Sequence, residues 1–163
     1  MPSTYTPIAT QTLGSAAASV TFSSIPSTYT DLICLINGST VTTSAYIYAQ
    51  YNNDTSTNYS WTSLIGDGSG VASQRGSTTS VIRLSSNANG STANWIMNVM
   101  NYSNATTYKT SVSRFGFGGS PGGAETFVGL WRSTSAVNRI DFASSSGNIA
   151  AGSTFTLYGV KSA

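Results

Sequence analysis

The sequence predicts an all-β fold, a single-domain antiparallel β-sandwich of jelly-roll type with about 8–11 strands. Three observations carry that expectation. Apolar residues alternate along short runs and never recur at helical spacing. Good helix formers are scarce, with one Glu and two Lys, while β-branched and aromatic residues occur throughout. Clusters of Gly, Asn, Asp and Ser separate the runs at short intervals.

Eleven runs read as strands: 7–13, 18–24, 31–37, 44–52, 59–65, 79–85, 94–102, 107–115, 125–132, 137–143 and 153–161. The connectors carry turn chemistry in "NNDTSTN" at 52–58, "GDGSG" at 66–70, "NANGST" at 87–92 and "GGSPGG" at 118–123. Residues 66–78 are expected as one loop. In 31–37, Leu32, Cys34 and Ile36 oppose Ile33 and Leu35. In 94–102, Trp95, Met97 and Val99 oppose Ile96 and Met100. A sandwich strand normally keeps one wet face, so these two imply a second contact, either a covering loop or a neighbouring copy. In 153–161, Phe155, Leu157 and Gly159 oppose Thr156, Tyr158 and Val160, and this last strand is expected to pair near the first ones. No repeat of about forty residues suggests a propeller. The echo of "PSTYT" at 2–6 and 26–30 is read as coincidence in a Ser/Thr-rich chain.

The 163 residues suit one domain, 1–163, with 39% hydrophobic and 11% aromatic residues to build its core. Charged residues make up 7%, against about 25% in an ordinary soluble domain. Ser (29), Thr (23) and Asn (12) take their place, so hydroxyls and amides must wet the surface. Such a surface is little affected by salt, because it has few ion pairs to screen. It also lacks the charge repulsion that keeps copies apart. The net charge of +2 is spread thinly, and no basic cluster exists to neutralise phosphates, which argues against nucleic acid as a partner. Cys34 has no second cysteine to pair with and reads as a small buried hydrophobe. The opening "MPSTYTPIATQTL" lacks the basic-then-apolar pattern of a secretory signal, and no apolar run approaches the ~18 residues of a membrane helix, so membrane insertion is not expected.

The chain contains no histidine, which removes Ser-His-Asp and Cys-His arrangements and His-based metal sites. Five carboxylates remain: Asp31, Asp54, Asp67, Glu125 and Asp141. A glycosidase needs two of them roughly 5–9.5 Å apart, and Asp54 with Asp67 is the pair considered. "GDGSG" lacks the alternating ligands and terminal Glu of a calcium loop and reads as a turn. No metal, cofactor or catalytic residue is assigned. The candidate binding feature is the aromatic hairpin "YIYAQYNNDTSTNYSW". Tyr46 and Tyr48 share one face, Tyr51 lies on the other with Ile47 and Ala49, and Tyr59 and Trp61 share a face across the loop. Tyr46, Tyr48, Asn53, Asp54, Tyr59 and Trp61 could form a sugar platform, rings covering C–H faces while amides and carboxylates bind hydroxyls. The same rings could equally pack across strands or between subunits. Trp95 and Trp131 complete the interface candidates, and Arg114 and Arg132 stand beside aromatics on which a guanidinium can stack. Six sequons, at Asn37, Asn53, Asn58, Asn89, Asn101 and Asn104, follow from composition alone.

Three stretches carry a resemblance: "TPIATQTLGSAAASVTFSSIPSTYTDL", "MNYSNATTYKTSVSR" and "VGLWRSTSAVNRIDFASSSGNIAAGSTFTLYGVKSA". The chain resembles short virion proteins of tailed phages infecting marine bacteria, cyanophages among them. The likeness spans nearly the whole chain and rests on phrases, with no catalytic motif. It implies a β-sandwich on the virion surface, as a capsid decoration, head-fibre or tail-associated subunit, made in the host cytoplasm and bound to capsid or tail proteins. It carries over no functional residues. The expectation is a non-enzymatic homo-oligomer, a trimer by preference, burying of the order of 800 Å² per partner. The alternative is a carbohydrate-binding tip that recognises host surface polysaccharide, and the third reading is a glycosidase.

Overall fold

A computed structural model describes residues 4–40, 45–86, 92–117 and 123–161, apart from the side chain of Phe117. These residues form twelve strands and no helix. They are β1 (Tyr5–Thr12), β2 (Ser19–Phe22), β3 (Asp31–Gly38), β4 (Ile47–Tyr51), β5 (Tyr59–Gly66), β6 (Val71–Thr79), β7 (Ile82–Arg83), β8 (Ala93–Met100), β9 (Lys109–Phe117), β10 (Gly123–Trp131), β11 (Ile140–Ser144) and β12 (Thr154–Val160). All pairings are antiparallel. One sheet has eight strands in the order β1-β12-β3-β8-β9-β10-β5-β6, and the other has four in the order β2-β11-β4-β7. The predicted all-β sandwich is therefore present.

Alternation along each strand sends one set of side chains between the sheets. Leu32, Cys34 and Ile36 of β3, Trp95, Met97 and Val99 of β8, and Phe155 and Leu157 of β12 come from the larger sheet. They meet Val20 and Phe22 of β2, Ile47, Ala49 and Tyr51 of β4, and Ile140 and Phe142 of β11. This is one continuous core. Burial raises the pKa of the Cys34 thiol, which leaves it an inert packing group.

The last strand does pair with the first. β12 lies between β1 and β3, with Tyr5 opposite Val160 on one side and Thr156 opposite Leu35 on the other. It is an interior strand, and β1 forms that edge of the sheet.

Three sequence expectations change. Residues 66–78 are a hairpin: "GDGS" turns the chain and β6 returns along β5, with Leu64 opposite Ser73 and Thr62 opposite Arg75. The run 79–85 keeps only a two-residue strand, β7, which pairs with β4 through Tyr48–Arg83 and Ala49–Ile82. The run at 44–52 shortens to Ile47–Tyr51, and its first residue lies outside the described residues. Most of the turns at 87–92 and 118–123 also lie outside them.

Candidate functional site

The aromatic hairpin divides at the sheet. On β4, Ile47, Ala49 and Tyr51 point inward, which leaves Tyr48 and Gln50 on the outer face. On β5, Tyr59 and Trp61 share a face as expected, but that face is the inner one. Tyr59 is fully buried and its ring stacks on Trp131, with centroids 6.2 Å apart and planes 17° apart. Its hydroxyl donates to the carbonyls of Asp54 at 3.1 Å and Tyr51 at 3.3 Å, and accepts from the Tyr51 N–H at 3.0 Å. Trp61 packs against Phe127, and Trp95 stacks on Phe115 at 4.7 Å. Tyr59, Trp61, Trp95 and Trp131 are thus core side chains in this chain. The physical reason is that a second sheet lies opposite, and large rings bury the most area there.

Asp54 also leaves the platform. Asn52 and Asn53 adopt φ of 52° and 57°, a conformation that Asn tolerates, and so turn the chain between β4 and β5. The turn delivers the Asp54 carboxylate to Trp131, whose Nε1 donates to Oδ2 at 2.7 Å, while Asn58 Nδ2 donates to the same oxygen at 3.0 Å. Burial pushes its pKa up, but the bonds from Asn58, Trp131 and Ser56 outweigh that and hold it near 2. Asp67 lies beyond the far end of the eight-residue β5, roughly 25 Å away by strand rise. Its carboxylate accepts from Ser69 N, Ser69 Oγ and Gly70 N within the turn. The two acids are too far apart to act on one glycosidic bond.

Tyr46, Tyr48 and Asn53 stay at the surface. Tyr48 and Asn53, together with Gln50, Ser19, Asp141 and Ala143, surround a shallow depression on the outer face of the smaller sheet. The Arg139 guanidinium grips Asp141 through Nε at 2.8 Å and Nη2 at 2.6 Å, and Thr21 Oγ1 donates to the same carboxylate at 2.6 Å. Burial works to raise the Asp141 pKa, and these bonds pull it below the ordinary value. Gln50 Nε2 donates to the Ser80 carbonyl at 2.9 Å. The Arg83 guanidinium lies 3.8 Å from the centroid of Tyr46, whose ring neighbours Tyr48 at 6.3 Å.

The second surface is the outer face of the eight-stranded sheet. Register places Thr156, Leu35, Ile96, Arg114, Thr126 and Leu64 in one row across six strands. The next row reads Tyr158, Ile33, Asn98, Val112 and Val128. Tyr5, Ile33, Leu35, Ile96, Arg114 and Tyr158 line a depression there. Toward one edge, Thr10 bonds Thr156 at 3.2 Å and Thr12 meets Thr154 at 2.9 Å. Nothing covers the second apolar face of β3 and β8 among the described residues. Arg114 stands on this face, whereas Arg132 is tied to the Tyr59 carbonyl at 3.2 Å and Ser60 Oγ at 3.0 Å.

Sequence reasoning missed Gln50 and Asp141 on the smaller sheet, and Tyr5, Leu64 and Val128 on the larger one. Each face gathers residues from strands far apart in the chain, so only the register could have found them. Among the described residues, no group of three or more His, Cys, Asp or Glu side chains could hold a metal ion, and no helix is long and apolar enough to cross a membrane.

No protein-family model and no curated protein matches the chain. Among solved structures, the Caenorhabditis elegans galectin LEC-6 is 13% identical, with 91% of this chain and 94% of that chain covered and a TM-score of 0.34. A likeness that slight carries no argument.

Proposed function

We propose that the chain is a non-enzymatic structural subunit of a tailed-phage virion, assembling through the outer face of its larger sheet. The observation that carries this reading is the exposed apolar run on that face: Leu35 is 40% exposed, Ile96 37%, Met100 39%, Val128 49% and Leu64 67%. Apolar surface gains about 25 cal/mol per Å² when removed from water, and exposed apolar side chains gathered on one sheet face, here interleaved with Arg114, Thr126 and Asn98, mark an interaction site. Few charges stand on the face to oppose a close neighbour. The phage resemblance supplies the setting, a particle surface where subunits contact one another and the capsid or tail. Replacing Leu35 and Ile96 together by Lys should abolish attachment to the virion while the isolated chain keeps its melting transition. Antibody labelling of virions that finds no chain on the particle would end the reading.

A second reading is favoured by the depression on the smaller sheet. The half-buried Tyr48 ring lies among Gln50, Asn53 and Asp141, the combination a sugar needs for its C–H face and hydroxyls. A glycan array should then give a neutral-saccharide signal that Tyr48→Ala and Gln50→Ala both remove. An array blank for the unmodified chain would sink it.

A further inference from the structure

We infer that β6 is an association edge that pairs with β6 of a second copy, joining two eight-stranded sheets into one. The inference rests on the reading of the chain as a self-assembling subunit and names a contact within it.

The two edges of the larger sheet differ. β1 carries Pro7, which has no N–H to offer, and its register slips between Pro7 and Ala9. Proline and bulges are what blunt an edge against pairing. β6 has no proline along its nine residues and its single charge is Arg75; its register with β5 also slips, but only past Gly76, and is regular from Val71 to Gly76. It is exposed on both faces over most of its length. A long, open, nearly uncharged edge presents unpaired backbone groups to any complementary strand.

The turn decides which groups face outward. The Asp67 N–H donates to the Gly70 carbonyl, so the next pair, Gly66 with Val71, is one that exchanges no ladder bonds. Alternation then makes Ile65–Ala72 and Ser63–Gln74 the bonded pairs. Val71, Ser73 and Arg75 therefore aim their N–H and C=O groups away from β5, and none has a backbone partner on that side among the described residues.

Only one two-fold register uses all three. With Ser73 opposite Ser73 of the second copy, Val71 of each strand faces Arg75 of the other, and every outward N–H finds a carbonyl. A register centred on Arg75 would set like charges directly opposite each other, which is unfavourable. The Ser73 register instead parts the two arginines by four residues, roughly 13 Å, beyond the ~10 Å screening length at 0.1 M salt. Val71, 94% exposed, then lies against the aliphatic stem of the opposing Arg75. This contact is smaller than a standard interface, so the pair dissociates on dilution and is held by local crowding on a particle.

The test is hydrogen exchange at high and low protein concentration, with light scattering alongside. The amides of Val71, Ser73 and Arg75 should slow at high concentration as mass rises toward a dimer, whereas Ala72 and Gln74 stay protected throughout. Ser73→Pro removes an outward N–H, and Ser73→Lys places two charges on the two-fold axis without altering the backbone. Both should remove the slowing at Val71 and Arg75 and lower the mass reached at high concentration, with unchanged melting. Outward amides that exchange equally fast at both concentrations overturn the inference, as do Ser73 variants that associate like the parent. If the parent and Ser73 variants associate alike and the Leu35/Ile96 lysine variant does not, the edge contact fails while the structural-subunit reading stands. A chain found on virions but monomeric at every concentration likewise removes the edge contact and leaves that reading in place.

Discussion

Acid should loosen the β4–β5 turn through one carboxylate. Asp54 joins that turn to Trp131 by the 2.7 Å bond from Nε1, and Asn58 and the Ser56 N–H donate to the same group. Burial raises its pKa and these donors lower it, with a net fall from 3.8 to about 2. Because the folded value lies below the unfolded one, the stabilisation is complete above the unfolded pKa and is lost as pH falls through the folded one. A fall from 3.8 to about 2 corresponds to about 2 kcal/mol, which solvent screening of a carboxylate near the surface reduces to about 1 kcal/mol. Asp141 and Asp67 also have lowered pKa values, so the parent chain loses stability in acid at several places. Asp54→Asn isolates one of them. Urea unfolding followed by tryptophan fluorescence should find this variant less stable by about 1 kcal/mol at neutral pH, the gap closing between about pH 4 and about pH 2. Parallel stability curves for parent and variant over that range would refute the reasoning.

Three further outcomes follow from packing. A Cβ added at Gly129 would lie 2.4 Å from Ile82 Cγ2 and 2.7 Å from Ser111 Oγ, so Gly129→Ala should cost about 1–3 kcal/mol in thermal unfolding. Gly14→Ala, with nothing within 4 Å, should stay within about 0.5 kcal/mol of the parent. Deleting residues 153–163 removes the strand between β1 and β3, and calorimetry should then record no cooperative transition. An unchanged melting curve would mean that β12 is dispensable.

The strands that bury one face were legible because their apolar residues announce the period. β3, β8 and β12 coincide with runs whose alternation is plain in the sequence, and the apolar second faces of β3 and β8 do face outward. β6 escaped because VASQRGSTT has no buried face to create a pattern: its support is the backbone ladder to β5. The direction of a face is a separate matter from its composition. Tyr59 and Trp61 visibly share a side, but whether that side is wet depends on the opposing sheet. Trp61 stands beside Gly129 and Tyr59 beside Trp131, pairings made across some seventy residues of chain. The sugar platform dissolved for that reason, and the surfaces that replace it are assembled by register from strands no local window joins.

The scarcity of charge has a consequence that holds across both surfaces. Among the described residues one ion pair is formed, Arg139 with Asp141 at 2.6 Å. The polar contacts on the outer face of the larger sheet include hydroxyl and amide bonds, such as Asn37 to Asn94 at 2.7 Å. An exposed ion pair is worth about 0.2–1 kcal/mol, and at 1 M salt charges are screened within about 3 Å. Association through apolar faces and backbone edges should persist as sodium chloride is raised and should strengthen in sulfate, which favours burial. Light scattering across a salt series separates the two kinds of contact. Copies that fall apart as sodium chloride rises would be held by charge, and the apolar face and the open edge would then lose their role in joining them.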